Sequence, residues 1–436
     1  MTQDTERTAP ATNSEEPIIA IIGLGYVGLP LAVEFGKIRK TIGFDINLQR
    51  VEELRSGNDS TREVESAELQ EARHLTISDN LEDMRQAGVF IVTVPTPIDQ
   101  NRAPDLTPLI SASRTIGQVI SKGAVVIYES TVYPGATEED CIPIIEATSG
   151  LRFNIDFFAG YSPERINPGD KLRPLRSIKK VTSGSTPEVA ETVDQLYRSI
   201  IVAGTHKASS IRVAEASKII ENTQRDVNIA LVNELSMIFD RLGIDTHEVI
   251  EAAATKWNFI KLLPGLVGGH CIGVDPYYLV HKSMRAGHIP DIIRTAREIN
   301  DGMARYFASE IIREMIQHDI PIKNAKILLL GVTFKENCPD LRNTKVMDLA
   351  SELMSFGARV EIHDPWIIEE DIPEINAPFK KELPALTTYN AVVLAVAHDR
   401  FRALTDDVAA FQAQGGVVYD LKNFFPPAST HRAPSV

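Results

Sequence analysis

Short apolar runs alternate with helical patterns over the first half of the chain. An apolar run at 18–22 ends in glycine, a helical pattern follows from Val27 to Lys37, and a second run at 41–44 leads to Asp45. Apolar stretches of this length are typical of strands buried in a parallel sheet. Similar runs recur at 89–94, 124–128 and 157–159. The alternation predicts a doubly wound parallel sheet over this part of the chain.

The pattern changes in the middle of the chain and then returns. Residues 209–242 form one long helical stretch without Gly or Pro, and its apolar positions include Val213, Ile219, Ile220 and Leu231. Strand-like runs resume at 326–330, 358–362, 391–396 and 416–419. We therefore predict an α/β protein with two Rossmann-like, doubly wound parallel-sheet domains joined by a long central helix.

These patterns divide the 436 residues into five segments, which suits the two or three domains expected of such a length. We predict a polar tail at 1–16 and an α/β domain at 17–205. A helical region at 206–321 then leads to a second α/β domain at 322–425 and a proline-rich tail at 426–436. A helix with an apolar stripe needs a partner to bury it, so we expect a homodimer or a higher homo-oligomer.

Composition narrows the possible partners and the compartment. The net charge of −14 argues against nucleic acid or an anionic membrane as the main partner. Only three cysteines are present, which argues against a disulfide framework and favours a reducing compartment. The sequence has no secretory signal and no run of about 18 apolar residues. We expect a cytoplasmic protein without a metal site.

A glycine-rich turn follows the first predicted strand and enters the first predicted helix. Its GxGxxG pattern consists of Gly23, Gly25 and Gly28, with Tyr26 and Val27 between the last two. Such a turn holds a pyrophosphate at the positive end of the helix. Asp45 ends the second strand, where a carboxylate binds ribose hydroxyls and repels a 2′-phosphate. The motif predicts NAD, with Arg50 near the adenine, and FAD is the competing dinucleotide.

A second motif places Cys271 among glycines. The segment 266–276 carries Gly268, Gly269 and Gly273 around the cysteine, and Asp275 follows four residues after it. A lone cysteine is usually a buried apolar residue, as we expect for Cys141. In a glycine-rich loop, however, a thiolate can attack an aldehyde, and a second hydride transfer then gives a thioester. If the segment is helical, Asp275 lies one turn away and can orient water.

Four further polar residues are candidates for the same chemistry. Lys218 and Asn222 share one face of the long helix, where they can donate hydrogen bonds to an alkoxide or oxyanion, although a solvated pair has the same spacing. Glu164 and Arg165 follow a predicted strand, and the carboxyl edge of a parallel sheet is where ligands bind. The basic residues after them are interpreted as solvated surface: Lys171, Arg173, Arg176, Lys179 and Lys180.

Taken together, these motifs resemble those of the UDP-glucose and UDP-N-acetylhexosamine 6-dehydrogenases. The resemblance spans roughly residues 17–425, and its pieces occur in the order of that family. They are Gly23–Gly28, Val94–Pro97, Glu129–Thr131, Ser162–Arg165, Lys218 with Asn222, Gly268–Asp275 and Gly331–Lys335. It implies an N-terminal NAD domain, a central dimerising region that carries the cysteine, and a C-terminal UDP domain.

The resemblance also implies roles for individual residues. Cys271 is the implied nucleophile, with Lys218 and Asn222 as oxyanion donors. Glu164, Thr131 and Asp275 are implied to position or activate water. Lys335 is implied to contact the substrate, as are Glu164 and Arg165, whereas Thr96, Thr131 and Arg342 are placed on the cofactor side.

The implied reaction is an NAD-dependent, four-electron oxidation of a UDP-sugar at C6, for surface-polysaccharide synthesis. The loops around Glu164 and Cys271 are most similar to those of enzymes acting on UDP-N-acetylgalactosamine or UDP-N-acetylglucosamine. UDP-glucose and UDP-N-acetylmannosamine remain alternative substrates. A single-step hydroxy-acid dehydrogenase leaves Cys271 without a role, and a non-catalytic nucleotide-sugar sensor does not need a nucleophile.

Overall fold

The structure is a computed structural model that describes residues 16–99, 101–166, 173–269, 272–367 and 377–426. Its internal contacts divide the chain into two compact units. The first unit comprises the chain up to Glu221 together with Tyr277–Gly287, and the second comprises Asn222–Pro276 and the chain from His288 onward. The domain boundaries drawn from the sequence stay predictions.

The first unit is built on a six-stranded parallel sheet with the order β3-β2-β1-β4-β5-β6. Its apolar strands pair in register, with Ile19 opposite Thr41 and Ile22 opposite Val92. The strands are β1 (Ile18–Ile22), β2 (Thr41–Phe44), β3 (Leu75–Ser78), β4 (Ala87–Val92), β5 (Val125–Tyr128) and β6 (Phe158–Tyr161). The predicted doubly wound sheet is therefore confirmed.

Six helices and a small second sheet accompany the large sheet in the described part of the chain before residue 211. The helices are α1 (Gly28–Gly36), α2 (Leu48–Arg55), α3 (Ser66–Glu71), α4 (Thr107–Val119), α5 (Ile142–Ser149) and α6 (Pro187–Arg198). A two-stranded parallel sheet is formed by β7 (Lys180–Thr182) and β8 (Thr205–Lys207). Short 3₁₀ turns lie at Leu81–Gln86 and Leu175–Ser177, and a π-helical turn lies at Thr137–Cys141.

The second unit contains a four-stranded parallel sheet with the order β10-β9-β11-β12. Its strands are β9 (Lys326–Leu330), β10 (Arg359–His363), β11 (Ala391–Leu394) and β12 (Val417–Asp420). Further helices along the chain are α7 (Ile211–Leu242), α8 (Thr246–Ala254), α9 (Asp275–Arg285), α10 (Asp291–Gln317), α11 (Val346–Ser355) and α12 (Thr405–Ala413). The predicted second α/β domain is confirmed.

The long helix α7 runs for 32 residues, and the predicted long helix is confirmed. Residues such as Ala214 and Ile219 are buried along one side. A second side, the exposed stripe, carries five apolar residues that are each 42–63% exposed: Val213, Ile220, Leu231, Ile238 and Leu242. Within the described ranges, α7 and the other helices all fall short of the length and apolarity needed to cross a membrane.

Candidate functional site

The glycine turn between β1 and α1 forms a cradle whose three glycines have different surroundings. Gly23 has a φ of +96°, and a Cβ on Gly28 would lie 1.8 Å from the Gly23 carbonyl oxygen. A Cβ on Gly25 would meet no described atom within 4 Å. The first turn of α1 carries no acidic residue, so its N–H groups face no competing carboxylate of that turn. The cradle therefore fits a pyrophosphate at Gly25.

Asp45 and Arg50 hold this cradle from the β2 side. One carboxylate oxygen of Asp45 accepts a hydrogen bond from the Leu24 N–H at 2.7 Å, and the other accepts one from the Asn47 N–H at 2.9 Å. Each carboxylate oxygen has a second lone pair, so Asp45 can still accept ribose hydroxyls. Arg50 is buried, donates to the Leu24 carbonyl at 2.9 Å and pairs with Asp59 at 2.7 Å.

Three candidate residues follow three neighbouring strands. Thr96 comes after β4, Thr131 after β5 and Glu164 after β6. The segments that carry them are joined, since the Ser130 hydroxyl donates to the Val94 carbonyl at 2.6 Å and the Tyr161 hydroxyl to the Ser130 carbonyl at 3.2 Å. The sheet thus brings all three to its carboxyl edge, beside the glycine cradle.

Arg165 leads from this edge to the central helix. Its guanidinium lies 2.8 Å from the Glu221 carboxylate on α7 and donates to the Lys179 carbonyl at 2.7 Å. One turn of α7 separates Lys218 from Asn222, and both side chains are buried. The solvated alternative for this pair is therefore wrong.

The Asn222 amide donates to the Asp275 carboxylate at 2.5 Å. Asp275 is almost fully buried and opens α9, and the preceding residues 272–274 form turns. The helical segment considered for Cys271 to Asp275 is thus not observed, because α9 begins only at Asp275. The carboxylate instead fixes the amide group of Asn222. Cys271 itself lies outside the described residues.

The glycines before Cys271 contact the loop after β9. A Cβ on Gly269, which has a φ of +82°, would lie 2.8 Å from the Phe334 ring. A Cβ on Gly268 would lie 2.7 Å from the Asn343 carbonyl oxygen. These close approaches explain why the sequence has glycine at both positions. They also place Gly268 and Gly269 next to the segment that carries Lys335.

The loop with Lys335 is held by a buried Asp364–His398 pair. Asp364 accepts hydrogen bonds from the Val332 N–H at 2.8 Å and from His398 Nε2 at 2.9 Å. His398 Nδ1 accepts the Asn337 N–H, which assigns the ring proton to Nε2. Burial alone would raise the pKa of Asp364, but the hydrogen bonds from His398 and from backbone donors lower it below its ordinary value.

Arg342, which the resemblance places on the cofactor side, pairs with Asp340 at 2.5 Å. Its side chain is 37% exposed, so part of it stays accessible to a ligand.

Two residues that matter for the site are not recognised in the sequence analysis: Lys180 is interpreted there as solvated surface, and Asn233 is not considered. Lys180 is buried between two carboxylates and is not solvated, so that interpretation is wrong for it; Arg173, Arg176 and Lys179 are exposed. Asn233 of α7 binds both backbone groups of Gly265. Sequence alone gives little signal for either, because one lysine in a basic run and one asparagine in a helix resemble surface residues.

Comparisons with known proteins agree along the whole chain. The UDP-glucose/GDP-mannose dehydrogenase family models for the NAD binding, central and UDP binding domains match residues 18–201, 212–302 and 328–427. A UDP-N-acetyl-D-glucosamine 6-dehydrogenase of Pseudomonas aeruginosa is 59% identical over 93% of this chain and 96% of its own. One of Salmonella typhi is 52% identical over 94% and 97%. A UDP-D-ManNAc dehydrogenase structure from Pyrococcus horikoshii has a TM-score of 0.84 at 30% identity, covering 94% and 96%.

The strand order, the glycine cradle and Asp45 define an NAD-dependent oxidoreductase. The chain belongs to the UDP-glucose/GDP-mannose dehydrogenase family, and it is a UDP-sugar dehydrogenase. The predicted NAD cofactor, UDP-sugar substrate and enzyme class are thereby confirmed.

Proposed function

We propose that this enzyme oxidises the C6 hydroxymethyl group of UDP-N-acetylglucosamine to a carboxylate. The product is proposed to be a precursor for surface polysaccharide. The observation that carries the choice of sugar is the 59% identity to the Pseudomonas aeruginosa UDP-N-acetyl-D-glucosamine 6-dehydrogenase. UDP-N-acetylgalactosamine, which differs only at C4, is the second candidate. NAD, when bound in the Gly23–Gly28 cradle, accepts a hydride in each of the two oxidations.

The contacts of Asn222 support a role in stabilising an oxyanion. One amide N–H of Asn222 is directed at Asp275, and an amide has two such donors, so the second can bind a substrate oxygen. Lys218 lies one turn earlier and supplies a positive charge to the same face of α7. In our proposal the Cys271 thiolate attacks the C6 aldehyde between these donors, and a thioester forms after the second hydride leaves.

Hydrolysis of the thioester requires an activated water. Glu164 and Thr131, at the carboxyl edge of the large sheet, are proposed to orient it and to accept its proton, with Asp275 assisting through Asn222. Lys335 is proposed to bind the substrate phosphates, with Arg165 supporting the substrate side and Arg342 the cofactor side. The 2.8 Å between the Phe334 ring and a Cβ built on Gly269 supports placing Lys335 beside the segment that leads to Cys271.

The choice of sugar is tested by measuring kcat/KM for UDP-GlcNAc, UDP-GalNAc, UDP-ManNAc and UDP-glucose under the same conditions. The proposal expects the highest value for UDP-GlcNAc. A higher value for UDP-ManNAc or UDP-glucose would overturn the assignment of the sugar. Tight binding of these UDP-sugars without NADH formation would instead favour the alternative of a non-catalytic nucleotide-sugar sensor.

We also propose that the enzyme is a homodimer that forms through the exposed stripe of α7. Its five apolar residues are spaced by 7, 11, 7 and 4 positions, so they line one face of the helix. Leu231→Glu should convert a dimer into a monomer in light-scattering measurements. Arg225→Glu, which introduces the same residue about a third of a turn away, should leave the dimer intact. A monomeric wild type would refute the proposal.

We propose a cytoplasmic location as well. Cys141 and Cys338 are free, buried thiols, which suits a reducing compartment. Cell fractionation with an NADH assay tests this, and activity confined to a membrane or extracytoplasmic fraction would contradict it.

A further inference from the structure

A buried chain of polar contacts leads from the interior of the first unit to Glu164. The Tyr197 hydroxyl of α6 donates to one Glu129 oxygen, and the other Glu129 oxygen lies 2.6 Å from the Lys180 ammonium. The same ammonium lies 3.2 Å from the Glu164 carboxylate. Tyr197 and Glu129 are 0% exposed and Lys180 is 1%, whereas Glu164 is 8% exposed. Glu164 is thus the member of this chain nearest to the accessible surface.

The charges of this chain do not balance. Lys180 carries one positive charge, and Glu129 and Glu164 carry two negative charges when both are ionised. An unneutralised charge in a buried site is costly, so the chain takes up a proton more readily than separate surface carboxylates do. Burial raises the pKa of Glu129 to about 7. The charge of Lys180 lowers this pKa, and the charge of Glu164 raises it further. For Lys180, burial lowers the pKa, but the two carboxylates outweigh it and raise the pKa above its ordinary value.

Lys180 also completes the fixation of the Glu164 carboxylate. One Glu164 oxygen accepts the Arg165 N–H at 2.5 Å and the Ile166 N–H, and the other faces Lys180. Three donors, one of them a cation, therefore hold the Glu164 carboxylate in place at the edge of the sheet. Glu129 weakens the hold of Lys180 on Glu164, because both carboxylates share the same ammonium group.

We propose that Lys180 and Glu129 are positioning residues that share their charge with Glu164, and that these three residues together set the pH at which the thioester is hydrolysed. The inference rests on the proposed role of Glu164 as the residue that accepts a proton from water. Within the described part of the chain, the titratable groups that face Glu129 are Lys180 of β7, Glu164 after β6 and Tyr197 of α6. Glu164 itself faces Lys180, and its neighbour Arg165 is paired with Glu221 of α7.

Two substitutions should shift the pH dependence in opposite directions. Glu129→Gln removes one of the two carboxylates that share Lys180, so no excess negative charge is left to take up a proton, and the acid limb of the kcat–pH profile should move about one pH unit lower. Lys180→Met removes the cation, so the limb should move about one pH unit higher. If Lys180→Met folds poorly, the double variant with Glu129→Gln removes both buried charges and should still shift the limb upward relative to Glu129→Gln alone.

Thr182→Val is the matched control. Thr182 lies on the same strand as Lys180, and its hydroxyl donates to the buried Asp194 at 2.7 Å. This hydrogen bond is not part of the chain of contacts from Tyr197 to Glu164. The substitution should lower stability without moving the acid limb, as any purely structural defect would. The inference would be overturned if the acid limb of the kcat–pH profile stayed in place in both Glu129→Gln and Lys180→Met, or if it moved in the same direction in both.

Glu164→Gln separates this inference from the proposed function. A loss of kcat of about a hundredfold or more in this variant supports Glu164 as the group that accepts the proton. Full activity with an unchanged pH profile would refute that role and the inference with it. A large loss of kcat in Glu164→Gln, combined with an unmoved acid limb in Glu129→Gln and Lys180→Met, would refute only the role of Lys180 and Glu129.

Discussion

At the scale of single residues, Gly25 and Gly28 are glycines for different reasons. A side chain on Gly28 would collide with the Gly23 carbonyl in the protein itself, whereas one on Gly25 would enter the space that we assign to the pyrophosphate. Gly28→Ala should therefore lower the melting temperature without NAD. Gly25→Ala should keep that temperature and weaken NAD binding about tenfold or more, since a forced contact costs about 1–3 kcal/mol.

Calorimetry for NAD binding and thermal melts of the NAD-free protein distinguish the two cases. Gly302→Ala provides a control, because Gly302 is exposed on α10, its φ is not left-handed and its Cβ would meet no described atom within 4 Å. A Gly25→Ala variant that binds NAD like the wild type would place the pyrophosphate elsewhere.

Glu314 on α10 is a buried carboxyl group with an oxygen that has no partner among the described residues. Burial raises its pKa from 4.5 to about 8. The folded protein thus keeps a proton that the unfolded chain has already released, so stability falls as the pH rises from about 4.5 to about 8. Within this window the loss is about 1.4 kcal/mol per pH unit.

Glu314→Gln should remove this dependence, because the amide is neutral at every pH. Its urea midpoint should therefore exceed that of the wild type at pH 9 by more than at pH 6. Glu298→Gln, at an exposed position of the same helix, should follow the wild type at both values. Parallel pH dependences for Glu314→Gln and the wild type would show that Glu314 does not titrate in this range.

At the scale of elements, Asn233 connects α7 to the segment that leads to Cys271. Its amide donates to the Gly265 carbonyl at 3.1 Å and accepts the Gly265 N–H at 2.8 Å, as a paired strand would. It also donates to Asn300 of α10 at 2.8 Å. We expect Asn233→Ala to free the Gly265 amide, to lower kcat and to cost about 1–3 kcal/mol of stability.

Hydrogen exchange of the Gly265 amide measures this effect directly. Exchange should be faster in Asn233→Ala and unchanged in Asn228→Ala, a half-buried asparagine on the same helix. Equal protection in all three proteins would show that other contacts hold the segment.

The same scale shows which elements could be predicted. The apolar strands β1, β2 and β9 begin and end where the sequence pattern placed them, because both of their faces are buried. The pattern missed β3, whose edge position leaves it partly polar and half exposed. It also missed β7 and β8, which are three residues long, and it placed β4 two residues too late.

At the scale of the whole molecule, the order of motifs predicted the class of enzyme, and the strand order explains why. Glycine cradle, Asp45, Thr131 and Glu164 are separate in sequence but follow strands of one parallel sheet. The contacts that tune them could not be predicted. Lys180 and His398 act through distant partners, and only the fold brings a lysine of β7 between two glutamates.

The central claim is the four-electron oxidation through Cys271, and the NADH yield per UDP-GlcNAc consumed tests it most directly. The account predicts two NADH for the wild type and for Cys141→Ser, which changes a buried thiol outside the site. Cys271→Ser should fail to reach the second NADH. A yield of one NADH in the wild type, or two NADH at the normal rate in Cys271→Ser, would contradict the thioester mechanism.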